Sequence, residues 1–222
     1  MGINVLTNAE YLVEQEKTLT TSREKYGLLA KILFVTLDLV YGKKATLLKF
    51  KVLEIVARVP YQAWESVAYV AMTHKYRKPK FARKIFEYLE EARAQQDNEQ
   101  WHLLILEELT EDYPQQGFLK FRVIPQLLAL SYYFSSWMLY IVNPKLSYRL
   151  NVEFEDHAEH EYMQMANNPD FKEQGYHGAF VKDYGEFNSL KNLLIQIGMD
   201  ERHHKEESIE RMKMPRFNLA VS

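Results

Sequence analysis

The sequence predicts an all-α protein built as a four-helix di-iron bundle of ferritin-like type with two additional interfacial helices. Three observations predict it. Apolar residues recur at helical spacing along most of the 222 residues, and glycine is mostly confined to breaks at Gly27, Gly42, Gly117, Gly175, Gly178 and Gly185. Two Glu-x-x-His pairs, Glu99 with His102 and Glu201 with His204, fall inside such stretches. A chain of this length that is 47% hydrophobic closes one sizeable core and does not need two. The expected organisation is an N-terminal extension over 1–25, one helical domain over 26–213 and a tail over 214–222.

Residues 1–25 mix Asn4, Glu10, Glu14, Glu16, Lys17 and Arg23 with isolated aliphatics. They lack the apolar core of a signal peptide and the acid-poor bias of a transit peptide, so the chain is expected to work where it is made. The first helix, near 26–48, offers Leu28, Leu29, Ile32, Leu33, Leu37 and Val40, followed by Lys43, Lys44, Lys49 and Lys51, a basic flank suited to anionic headgroups. Helices near 50–74 and 79–109 follow, the former kinked at Pro60. In the fourth, near 118–142, the stretch from Val123 to Val142 carries no charge, which meets the minimum for a membrane span. Its Gln126, Ser131, Ser135, Ser136, Tyr132, Tyr133 and Tyr140 make it only moderately apolar, so an interfacial helix is expected, with a kink at Pro125. Ordinary burial in the core is the competing reading for the first and fourth helices. Asn143-Pro144 ends the fourth helix, because a residue before proline is pushed out of the helical region. Helices near 145–167 and 187–213 complete the set.

Composition excludes several classes. Lys plus Arg number 28 against 30 Asp plus Glu, so the net charge of -2 gives no global field to capture nucleic acid. Without cysteine there is no disulfide, zinc–thiolate site, iron–sulfur ligation or thiol chemistry, and any metal must sit on Glu, Asp and His. Aromatics reach 14%, with 15 Tyr and 3 Trp, a richness found at lipid interfaces and in redox proteins.

At i and i+3 on a helix, Glu and His share a face and can grip one metal or bridge two. Either pair alone is a common accident. The larger pattern is more specific, because Glu54 precedes the first pair by 45 residues and Glu155 precedes the second by 46. One Glu from each of two helices plus a Glu-x-x-His from each of two others is what a four-helix di-metal carboxylate site requires. Four carboxylates and two ferrous ions sum to a neutral centre, whereas four bare carboxylates facing a core are prohibitively costly. Imidazole with carboxylate oxygen suits iron, with manganese the alternative. Asn98 and Asp200 precede the pairs and are placed to support the ligands. Tyr162 lies two turns along from Glu155 on the same face, so its ring can approach the metals; a core tyrosine is the competing reading. His157, His160 and His203 are read as supporting or surface histidines.

At these residues the chain resembles the alternative oxidase family, and within it the plastid terminal oxidase branch. The matching words are Leu53-Glu54 with Ala57-Arg58-Val59-Pro60-Tyr61, Asn98-Glu99 with His102-Leu103-Leu104 and Glu107-Glu108-Leu109, Tyr132-Tyr133-Phe134, Glu155 with His157-Ala158 and Tyr162, and Asp200-Glu201 with His204. They run in order from about Lys49 to Met212. The resemblance implies a di-iron membrane-surface enzyme that oxidises quinol, plastoquinol favoured over ubiquinol, and reduces dioxygen to water without pumping protons. It implies Glu54, Glu99, His102, Glu155, Glu201 and His204 as iron ligands, Tyr162 as an essential tyrosine, and a homodimer on one leaflet, on the cytoplasmic or stromal face of a thylakoid-type membrane. Departures are Lys49 for a usual arginine near the quinol, Glu161 for a small hydroxyl residue, Ile55 for a threonine and Gly198 for an arginine. Lys49 and Glu161 are the expected quinol-lining residues. A soluble ferroxidase or oxygenase with the same ligands, and a metal-free structural bundle, are the competing readings.

Overall fold

The computed structural model describes residues 5–114, 117–171 and 175–214. Among them the chain forms α1 (Asn8–Thr20), α2 (Leu28–Tyr41), α3 (Leu47–Ala57), α4 (Val59–Lys75), α5 (Pro79–Leu109), α6 (Ile124–Val142), α7 (Pro144–Met165), α8 (Val181–Tyr184) and α9 (Leu190–Lys213). A π-helical turn over Leu119–Val123 leads into α6, and the extended pairing among the described residues is one bridge between Tyr176 and Phe187. The all-α expectation is borne out. Of the expected 214–222 tail, everything from 215 on lies outside the described residues, as do residues 1–4 of the N-terminal extension.

Helices α3, α5, α7 and α9 form the central bundle, with α7 lying along α9 and α3 along α5. Their sequences explain the arrangement. On α5 the buried side chains Ile85, Leu89, Ala92, Gln96, Glu99, His102 and Leu106 recur every three or four residues, one stripe down a single face. The first metal pair lies on that stripe and must point inward with it. Helix α7 is buried on nearly every side, which is why its run from Ser147 to Met165 shows little periodicity. Gly198 on α9 lets α7 come close: a Cβ there would stand 3.0 Å from Met163 Cε. A side chain at that position would require the Met163 thioether to shift.

Two prolines act differently from expectation. The helix expected over 50–74 is two helices, because Pro60 cannot donate to the carbonyl four residues back and its ring would strike it. The chain ends α3 at Ala57 and starts α4 at Val59, with Pro60 in the first turn, where no N–H partner is needed. Pro125 stands likewise in the first turn of α6, after the π-helical turn. Helix α2 ends earlier than expected, at Tyr41, where Gly42 takes a φ of 89° that favours glycine.

Helix α1 was not foreseen. It lies across α7 and α9 and buries only Tyr11, Gln15 and Thr18, so it has almost no apolar stripe to read. Its grip is polar: the Tyr11 hydroxyl donates to Gln196 Oε1 (3.0 Å), Gln15 Nε2 to the Met163 carbonyl (2.7 Å), and Arg202 to Glu14. The signal that could have found it is the capping box of Thr7 and Glu10.

Helices α2 and α6 pack on the bundle with one face and leave another bare. Leu28, Ile32, Val35 and Leu39 are exposed on α2, Leu39 by 84%, and Leu127, Leu130, Phe134, Trp137, Met138 and Ile141 are exposed on α6. Each set follows helical spacing, so the exposed apolar groups form stripes rather than scattered residues. Among the described residues no helix is long and apolar enough to cross a membrane. The expected basic flank is only half present at the surface. Lys43 and Lys44 are exposed, but Lys49 turns to Asp38 (2.5 Å) and Lys51 to Glu107 (2.9 Å).

Candidate metal centre

Six side chains from four helices converge in the middle of the bundle: Glu54 from α3, Glu99 and His102 from α5, Glu155 from α7, Glu201 and His204 from α9. All are buried, five of them 1% exposed or less and His204 3%. They form two overlapping groups, Glu54, Glu99, His102 and Glu201 in one, and Glu99, Glu155, Glu201 and His204 in the other. Within each group one ligand atom per residue lies within 4.8 Å of all the rest. Glu99 and Glu201 are common to both, so Glu54 and His102 mark one half of the centre, Glu155 and His204 the other.

The decisive observation is what these atoms lack. Glu54 Oε2, both carboxylate oxygens of Glu99 and of Glu201, Glu155 Oε2, His102 Nδ1 and His204 Nδ1 are all buried without a hydrogen-bond partner. Buried polar atoms are normally paired, and an unsatisfied charged one costs several kcal/mol. Eight such atoms face one another with no hydrogen bond of good geometry among them, an arrangement that cations between them would satisfy. The donor set, carboxylate oxygen and imidazole nitrogen without sulfur, fits two borderline divalent ions such as iron.

The electrostatics agree. Burial, reinforced by the facing Glu201, pushes the Glu54 and Glu155 carboxyls well above the usual carboxylate range. Burial acts upward on Glu99 too, but His102 and His204 outweigh it and hold that carboxyl low. The two imidazoles are raised despite burial, His102 by Tyr184 and then by Asp200, Glu201 and Glu54, and His204, to about 10, by Glu201 and Glu99.

Glu54 Oε1, Glu155 Oε1 and His102 Nε2 are held from behind. Tyr162, fully buried and stacked on Phe50 (4.4 Å between ring centroids), donates its hydroxyl to Glu54 Oε1. The Tyr61 hydroxyl donates to Glu155 Oε1 at 2.6 Å. His102 Nε2 lies 3.2 Å from Asp200 Oδ2, which leaves Nδ1 free toward the carboxylates. Asp200 accepts also from Tyr184 (2.6 Å), Gln196 (3.0 Å) and Asn98 (3.3 Å). Asn98 and Asp200 thus meet each other beside His102. Tyr61, Tyr184 and Gln196 went unassigned in the sequence; Tyr61 follows Glu54 by seven residues, as Tyr162 follows Glu155, and that spacing is the signal that could have found it, whereas Tyr184 comes from the short α8, beyond any motif.

Lys49 and Glu161 lie elsewhere, around His157. Arg23 pairs with Glu161 (2.8 Å) and approaches His157 Nδ1 (3.3 Å), and the His157 ring stacks on Phe34 at 3.9 Å. Burial pushes the imidazole of His157 down to about 4, with Glu161, Arg23, Lys49 and Asp38 as its charged neighbours. A separate apolar cavity of about 140 Å³ opens between α2 and α6, lined among others by Leu29, Leu33, Leu128, Tyr132 and Leu150; neither Lys49 nor Glu161 lines it.

A third acidic group, Asp156, Glu159 and His160, has ligand spacing too. Lys205 lies 3.1 Å from Asp156 and 2.5 Å from Glu159, and Arg202 2.9 Å from Glu159, so its cations are already supplied by the chain.

Four helices turning four carboxylates and two imidazoles into a dry interior define the class of helical-bundle proteins with a carboxylate–histidine centre fit for metal. Within that class the chain belongs to the alternative oxidase family: the family's sequence model, alternative oxidase, matches residues 8–211. The chain is also 35% identical over 191 residues to the Arabidopsis thaliana protein named ubiquinol oxidase 4, chloroplastic/chromoplastic, an alignment covering 76% of this chain and 51% of that relative. It spans about half the length of that curated relative. The resemblance read from the motifs, to the family and to its plastid branch, is borne out.

Proposed function

We propose that the chain is a non-electrogenic quinol oxidase that reduces dioxygen to water at a di-iron centre held by Glu54, Glu99, His102, Glu155, Glu201 and His204. The observation that carries the reading is the set of eight unpartnered ligand atoms in two overlapping groups. Two irons bound there would supply the redox chemistry toward dioxygen. Balance requires two quinols per dioxygen, giving four electrons and four protons for two waters.

The chain's own residues supply positioning and proton handling. Asp200 accepts from His102 Nε2 and fixes its tautomer, so Nδ1 keeps its lone pair toward the centre. Tyr162 stays a neutral phenol, because burial and the adjacent Glu54 carboxylate push its hydroxyl well above the usual range. A protonated phenol touching a ligand can give up an electron and a proton together, the role proposed for it. His157, held neutral by its burial and taking an Arg23 N–H at Nδ1, presents Nε2–H as a hydrogen-bond donor to a quinol oxygen, with Lys49 and Glu161 flanking the same cluster as quinol contacts.

The bare stripes of α2 and α6 support docking to a lipid interface. Tyr41, at the end of α2, donates to the Lys120 carbonyl (2.7 Å), so Lys43, Lys44, Lys120 and Arg122 gather at one end of the apolar face. That charge distribution suits one leaflet with anionic headgroups. The named location of the Arabidopsis relative supports a plastid-type membrane; its name gives the substrate as ubiquinol, and plastoquinol is proposed on the resemblance to the plastid branch. A homodimer on one leaflet completes the proposal.

The test is oxygen uptake by the purified chain with a short-chain quinol, combined with iron quantitation. The expected result is about two irons per chain and quinol-dependent uptake that His204→Ala or Glu155→Ala abolishes. Parental rates in those variants would remove these residues from the ligand set.

A further inference from the structure

We propose that Tyr61 is a positioning residue for one half of the centre, holding the Glu155 carboxylate through its hydroxyl so that Oε2 faces Glu99, Glu201 and His204. The inference rests on the metal-binding reading above and adds a residue to which nothing else assigns a role.

Tyr61 sits in the first turn of α4, directly after the proline that starts that helix, and is fully buried. Its hydroxyl donates to Glu155 Oε1 at 2.6 Å and accepts from Asn151 Nδ2 at 3.0 Å; the same amide nitrogen lies 3.1 Å from Ser208 Oγ. The direction of the proton follows from the partners. An amide N–H can only donate and a carboxylate can only accept, so the phenol proton must point at Glu155. Oε1 is thereby occupied and Oε2 left unpartnered toward the centre. The ring also meets the His204 ring edge-on at 5.6 Å. Tyr61 therefore touches both end ligands of one half, Glu155 and His204. Tyr162 does the corresponding work on Glu54 in the other half, so each single-glutamate ligand receives one phenol from a neighbouring helix. Burial, with Glu155 beside it, keeps the Tyr61 hydroxyl protonated far above neutral pH.

The test is anaerobic titration of the metal-free full chain with Fe(II), read by equilibrium dialysis, alongside Co(II) titration read by visible absorption. Wild type should bind two ions. Tyr61→Phe keeps the ring and removes only the hydroxyl; one ion should bind as before and the other about 10–100-fold more weakly, the usual cost of losing a partner behind a ligand. The affected half is identified by background. With His102→Ala, which leaves the Glu155 half, Tyr61→Phe should weaken the remaining ion; with His204→Ala it should change nothing. Asn151→Leu, which frees the phenol proton to turn away, should weaken the same half by a smaller factor. Equal weakening of both ions, as a general packing defect would give, or no weakening in either variant, overturns the proposal while leaving the metal reading intact. A wild-type chain that binds no metal overturns both.

Discussion

His204 Nδ1 lies 2.7 Å from Glu99 Oε1, closer than the 3.8 Å that separates it from Glu201 of its own motif. His102 behaves the same way, 3.2 Å from Glu201 and 3.7 Å from Glu99. Each histidine is therefore turned toward the glutamate of the other pair, while both glutamates serve both halves.

That crossing separates the ligands into two kinds. Glu99→Ala or Glu201→Ala should lower occupancy at both metals, whereas Glu54→Ala or Glu155→Ala should lower it at one. Iron per chain in protein reconstituted at limiting Fe(II) measures this, and near-normal loading of Glu99→Ala would show that the shared position is not a shared ligand.

Tyr162→Phe, loaded at saturating iron, should keep its metal and lose quinol-dependent turnover by about 100-fold or more, within the range that loss of a proton-transfer group gives. Oxygen uptake normalised to bound iron is the measurement. Unchanged turnover would reduce Tyr162 to a support for Glu54.

Asp200→Asn replaces a charged acceptor beside His102 Nε2 with an amide that can also present a donor there. Iron affinity should fall about 10–100-fold. The ring nitrogen resonances of His102 in the metal-free protein should shift as well, which a purely mechanical loosening of α9 would not produce.

Glu159 contributes to the acid side of stability. Burial raises its carboxyl, but Lys205, Thr18 and Arg202 outweigh this and hold it below its ordinary 4.5. A depressed carboxyl contributes stability above that ordinary value and loses it as pH falls through the folded value. Glu159→Gln should cost about 2–4 kcal/mol at neutral pH, because it strands Lys205 and Arg202, and its stability should fall less steeply below pH 5 than wild type. Denaturant midpoints across that range test both parts.

Replacing exposed aliphatics on α2 and α6 should leave the bundle intact and weaken lipid association. Leu39→Glu with Met138→Glu is expected to reduce binding to anionic vesicles by at least tenfold, since each exposed large side chain is worth about 1.5–3 kcal/mol when fully buried. Unaltered vesicle co-sedimentation would assign the bare stripes to another contact.

The sequence by itself determined the helical class, the face that Glu99 shares with His102 and the identity of the six converging residues. Each of these depends on local periodicity or on motifs and their repetition along the chain, which the order of residues encodes directly. It overlooked α1, whose contacts are polar side chains on α7 and α9 and leave no apolar period, and it joined α3 to α4 because periodicity continues across Pro60 while the backbone does not. Tertiary structure alone decided that histidine and glutamate exchange partners between motifs, that Tyr61 and Tyr162 each cap one glutamate, and that Lys49 and Lys51 turn toward acidic partners instead of facing outward. These are contacts between helices far apart in the chain, fixed by how the bundle closes, and no spacing along a single helix specifies which side chains meet across it.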